Sequence, residues 1–138
     1  MRIMAIDYGD AHTGIAISDP TGFLAGFTTV IDAYRPEAVA DHIAALAKEH
    51  GVEELVLGHP VNMDGTRGPR SEKAQAMKTL LEETTSLPVV LWDERRTTID
   101  AHQILFNSGK NAKKRKKVVD AVAASLILEG YLTYKKNL

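Results

Sequence analysis

The chain has 138 residues, 44% of them apolar, with 17 Lys+Arg against 18 Asp+Glu and no cysteine. This composition suits one domain over 1–138 and excludes disulfides and cysteine-ligated zinc or iron–sulfur centres. A net charge of −1 leaves any nucleic-acid partner to a local basic patch, and no leader-like or membrane-length apolar run is visible, so a cytoplasmic protein is expected.

Residues 2–7 form a short apolar run that predicts a strand ending in Asp7. The segment from Gly9 to Gly14 predicts a turn. Ile15 to Ile17 predicts a second strand, Thr21-Gly22 another turn, and Phe23 to Ile31 a third strand, which together make an antiparallel meander. The period then changes. Pro36 opens a helix carrying Val39, Ile43, Leu46 and Ala47 at helical spacing, and His50-Gly51 stops it. Leu55-Val56-Leu57 predicts a fourth strand, followed by the turn-rich loop VNMDGTRGPR. Ser71 is the expected cap of a second helix bearing Ala74, Met77, Leu80 and Leu81. Pro88 to Trp92 predicts a fifth strand running into Asp93-Glu94. Thr97 and Asp100 suggest a capping-box variant opening a helix through Leu105. Asn107 to Lys117 reads as a basic linker, and a last helix covers about Val118 to Tyr134.

The order βββαβαβαα implies an α/β fold with a mixed five-stranded sheet, three antiparallel strands followed by two parallel ones, flanked by helices. In such sheets sites lie beyond the carboxyl ends of the parallel strands. Asp7 and Asp93-Glu94 fall at those ends. Asp120 lies near the start of the last apolar helix, on a stripe with Ala123, Ala124, Ile127 and Tyr131.

Each acid has a plain reading as a turn former, a loop start or a partner of the helix dipole. Convergence on one spot would need a cation, and oxygen ligands without cysteine or paired histidines favour Mg²⁺ or Mn²⁺. Such ions are the usual apparatus for phosphodiester hydrolysis. The histidines (12, 42, 50, 59 and 102) show no zinc-site spacing and read mostly as surface or helix residues. Alternation alone leaves open which of Asp93 and Glu94 faces Asp7.

KNAKKRKK, residues 110–117, carries six basic residues immediately before the Asp120 helix. Lys113, Lys114, Arg115, Lys116 and Lys117 are therefore candidate phosphate contacts, with Arg95 and Arg96 beside Glu94 and with Arg67 and Arg70 in the loop after the fourth strand.

Four motifs in order, AIDYG with GIAIS, GHPVNMDGTRGP, WDERRTT and VDAVAASLILEGYL, resemble the YqgF/RuvX family of Holliday-junction-resolvase-like or pre-16S rRNA nucleases. The resemblance covers nearly the whole chain. It implies a ribonuclease-H-like fold and a metal-dependent nuclease in ribosome biogenesis. Junction-resolving activity and a non-catalytic nucleic-acid-binding module are the alternatives. The resemblance also implies that Asp7, Glu94 and Asp120 are the catalytic, metal-holding acids, choosing Glu94 over Asp93. There is one departure: relatives often carry a basic pair after AIDYG, where this chain has Asp10-Ala11-His12-Thr13. DYGDAHTG is also similar to the phosphate loop of actin-like ATPases, but 138 residues leave no room for the second domain such enzymes use.

Overall fold

The computed structural model describes residues 1–21, 25–59, 68–93 and 112–137, the last segment with side chains from 121 onward. Five strands form one sheet: β1 Arg2–Asp7, β2 His12–Ser18, β3 Ala25–Asp32, β4 Val52–His59 and β5 Val89–Asp93, in the order β3-β2-β1-β4-β5. β1 pairs antiparallel with β2, and β2 with β3. β1 pairs parallel with β4, and β4 with β5. The mixed sheet expected from the element order is the one observed.

Three helices are described: α1 Pro36–His50, α2 Pro69–Thr85 and α3 Ala112–Lys136. Pro at the first turn suits α1 and α2, where its fixed φ is helical and its missing N–H costs nothing. Gly51 ends α1 in the left-handed region at φ 67°, its N–H donating to the Ala47 carbonyl.

Alternation along the strands sorts two cores. Met4, Ile6, Ile15, Ile17, Leu55, Leu57 and Val89 pack under α1 and α2, against Val39, Ile43, Met77 and Leu81. Ile3, Ala5, Ala16, Val56 and Trp92 meet Ala124, Ile127, Leu128, Tyr131 and Leu132 of α3. The small side chains of Ala5 and Ala16, both fully buried, let α3 lie close over β1 and β2.

Several boundaries differ from the sequence expectations. β2 begins at His12, not Ile15, because His12 and Thr13 pair with Asp32 and Ile31 of β3. β4 extends from Val52 to His59. Ser71 does not cap α2: the N-cap is Gly68, and Ser71 is buried inside the helix with its hydroxyl 2.6 Å from His59 Nε2. Residues 112–117 are not linker but the opening turns of α3, since Ala, Lys and Arg are all strong helix formers. The helix expected between Thr97 and Leu105 lies outside the described residues.

Candidate active site

Asp7 closes β1 at the carboxyl edge of the parallel strands, half-buried, opposite Gly14 of β2. Its face follows from its neighbours. Ile3 and Ala5 belong to the α3 side, so Asp7, two residues on, belongs there too. Gly14, opposite it on β2, offers no side chain.

The same alternation places Asp93, the last residue of β5. Val90 and Trp92 pack on the α3 side, whereas Val89 and Leu91 pack on the α1–α2 side. Asp93, in register with His59, shares the parity of Leu91 and so lies on the face away from Asp7. Sequence alternation could not decide this, because it could not say which face α3 covers. Glu94, Arg95, Arg96 and Arg67 lie outside the described residues. Asp120 lies within α3, one helical turn before the fully buried Ala124.

The carboxyl end of α3 is tied to the other edge of the sheet. The Tyr131 hydroxyl donates to the Glu54 carboxylate, and Lys135 Nζ donates to the same group at 3.3 Å. Glu54 is in register with Ile3, at the amino end of β1. Burial, with the Glu54 carboxylate after it, pushes the Tyr131 phenol well above its ordinary range. Trp92 packs edge-on against Tyr131 at 5.7 Å between centroids.

Arg70 is exposed in the first turn of α2 and lines a shallow recess with Tyr8, Asp10, Gly58, Lys73 and Ala74. Lys73 Nζ donates to Asp10 at 3.0 Å, so the acid of the first turn is paired. Both groups are largely exposed, and such a pair contributes at most about 1 kcal/mol. Burial raises the Tyr8 phenol above its ordinary value, with the Lys73 charge opposing.

Two of the histidines lie at this edge of the sheet. His59 is buried in β4 against Ser71, whose hydroxyl also accepts from Gln75 Nε2 at 3.3 Å. His12 opens β2, its Nδ1 2.6 Å from Asp32 Oδ1. Their partners lie 12 and 20 residues away, so no local pattern marks them. Among the described residues, no group of three His, Asp or Glu side chains is gathered to hold a metal ion; Glu94 and the Asp120 side chain lie outside them.

The five-stranded mixed sheet flanked by helices is a ribonuclease-H-like fold. The solved structures agree on the fold. Thermus thermophilus RuvC in complex with a Holliday junction substrate superposes with a TM-score of 0.64 at 14% identity, covering 98% of this chain and 96% of that one. A second structure of the same organism's RuvC gives 0.55 at 14% identity, covering 98% and 97%.

Within that class the chain belongs to the RuvX family, described as Holliday junction resolvase, whose model matches residues 1–134. A protein of Halothermothrix orenii named as a candidate pre-16S rRNA nuclease is 45% identical over 138 residues, covering 100% of this chain and 99% of its own. One of Listeria monocytogenes with the same name is 46% identical over 134 residues, covering 96% and 97%. The chain is thus a member of a nuclease family.

Proposed function

We propose that this chain is a metal-dependent endonuclease that hydrolyses phosphodiester bonds in the precursor of 16S ribosomal RNA, in the cytoplasm. The observation that carries the reading is the presentation of Asp7. A regular strand holds it half-buried at the carboxyl edge, on the side covered by the helix containing Asp120. Trp92, two residues before Glu94 in the sequence, packs on that same side.

Level along the sheet also supports the reading. Tyr131 is tied to the row of Ile3. From Ile3 to Asp7 is roughly 13 Å along the strand. From Tyr131 back to Asp120 is roughly 16 Å along the helix. The turn of α3 that carries Asp120 is thereby expected beside the end of β1.

Three carboxylates are an oxygen-only donor set suited to Mg²⁺ or Mn²⁺, and Asp7, Glu94 and Asp120 are the residues that would hold the ion. When bound, such an ion supplies an activated water and charge neutralisation at the phosphate. The chain's own groups do the rest. Arg70 and the basic run Lys113, Lys114, Arg115, Lys116 and Lys117, which opens α3, bind the phosphate backbone, with Arg95 and Arg96 beside Glu94. The strand fixes the direction of Asp7, so little reorganisation is needed when substrate arrives.

A second reading, cleavage of four-way DNA, is favoured by the fold shared with a junction-bound RuvC. The test is cleavage of a precursor rRNA fragment and a four-way DNA junction side by side, with Mg²⁺ or Mn²⁺. Metal-dependent cutting of the RNA alone is expected. Preferential cutting of the junction would move the substrate to DNA, and binding without cleavage of either would favour a non-catalytic module.

A further inference from the structure

His12 stands at the same edge as Asp7 and has no part in the acid set. Asp7 faces Gly14, and His12 is two residues along β2, on the same side of the sheet. Such diagonal neighbours are about 7–8 Å apart. His12 is directly opposite Asp32 of β3, and Nδ1 approaches Asp32 Oδ1 at 2.6 Å. The pairing continues one residue further, with Ala33 N donating to Ala11 O at 3.1 Å, so the dyad is framed by ladder bonds. Gly9 presses on it from the turn, since any Cβ there would meet the backbone carbonyl of His12. The His12 side chain is 24% exposed.

The tautomer follows from the partner. A carboxylate only accepts, so Nδ1 carries the proton and donates to Asp32. In the neutral ring Nε2 is then an acceptor. The groups that face it from the adjacent strands are the carboxylates of Asp32 and Asp7. A further phosphate is a poor guest between them, whereas a neutral hydroxyl donor is a good one. On a nucleic acid, the donor next to the phosphodiester that DNA lacks is the ribose 2′-hydroxyl.

We infer that the His12–Asp32 pair is a substrate-recognition site in which Nε2 accepts from the 2′-hydroxyl of the nucleotide at the cleaved bond, making the chain selective for RNA. The inference rests on the proposed placement of the cleaved phosphate at Asp7.

The test is a cycle of affinities, measured by fluorescence anisotropy with Ca²⁺ in place of Mg²⁺, so that the acids stay neutralised. The ligands are a labelled precursor-rRNA oligonucleotide and copies carrying a single 2′-deoxy nucleotide at successive positions. Wild type should bind the all-ribose strand about tenfold more tightly than one particular deoxy copy, the equivalent of about 1.4 kcal/mol. That ratio should fall to near one in His12→Ala and in Asp32→Leu. It should return in part in His12→Gln, which keeps an acceptor within reach. Circular dichroism melts check that each variant is folded, and His12→Gln remains informative if His12→Ala is not.

An unchanged ratio in the folded variants would overturn the inference. So would an equal loss for ribose and deoxy strands, which would mark a phosphate contact or a structural role. The two failures are distinguishable. Metal-dependent cleavage with a ratio indifferent to His12 removes only this inference, whereas a His12-dependent ratio without cleavage removes the nuclease and the placement at a cleaved bond and leaves only a 2′-hydroxyl contact.

Discussion

Replacing Gly9 by alanine tests how tightly the β1–β2 turn holds the site. A Cβ at this position would stand well under 3.0 Å from the His12 carbonyl oxygen, a backbone atom that no rotamer change can move. The turn must open, and overpacking of this kind costs about 1–3 kcal/mol. For a chain of this length that is a fall in Tm of about 4–12 °C. Both strands leaving the turn carry site residues, Asp7 before it and His12 after it. Misplacement of such groups by a fraction of an ångström to one ångström costs about 10- to 100-fold in rate. Urea titration followed by circular dichroism gives the stability, and single-turnover cleavage at a temperature where the variant is fully folded gives the rate. Gly51→Ala is the control. Gly51 has φ 67°, a Cβ added to it would meet nothing within 4 Å, and it ends α1 at the opposite edge. This variant should lose about 1 kcal/mol with the rate of the folded protein unchanged. Wild-type stability and rate in Gly9→Ala would refute the claim that this turn has no slack.

Two further outcomes are expected. The Tyr131 phenol is held well above its ordinary value of 10.0 by burial and by Glu54, so the folded state keeps a proton that the unfolded chain gives up. That contribution is full below pH 10 and is lost as pH rises above it; denaturant midpoints should therefore fall in alkali, with a shallower fall in Tyr131→Phe. Replacing the five basic residues 113–117 by glutamine should weaken RNA binding and flatten the slope of log affinity against log salt, by roughly 0.7 for each single-strand phosphate contact removed, while an unchanged slope would take the opening of α3 out of the interface.

Much of the fold was legible because the apolar periods are clean. The run Ile3–Ile6, the helical stripe Val39–Ile43–Ala47 and the strand Leu55–Leu57 each state their structure locally. The misplaced boundaries share a cause: partners distant in sequence. His12 and Thr13 look like turn residues until Asp32 and Ile31 of β3 pair with them. Ser71 looks like a cap until His59 engages its hydroxyl. Residues 113–117 look like linker by charge, although Lys and Arg extend a helix readily. Among the acids, Asp7 was legible as a carboxylate ending an apolar strand. The choice between Asp93 and Glu94 was not, because it depends on which face of the sheet α3 covers.

That choice provides the most direct test of the site. Single-turnover cleavage of the precursor rRNA fragment in Mg²⁺ should be compared for Asp7→Asn, Glu94→Gln, Asp120→Asn and Asp93→Asn, each matched for folded fraction. The first three should lose activity by orders of magnitude while Asp93→Asn, altered on the α1–α2 side, stays close to wild type. Retained cleavage in Asp7→Asn, or cleavage that depends on Asp93 and not on Glu94, would contradict the account.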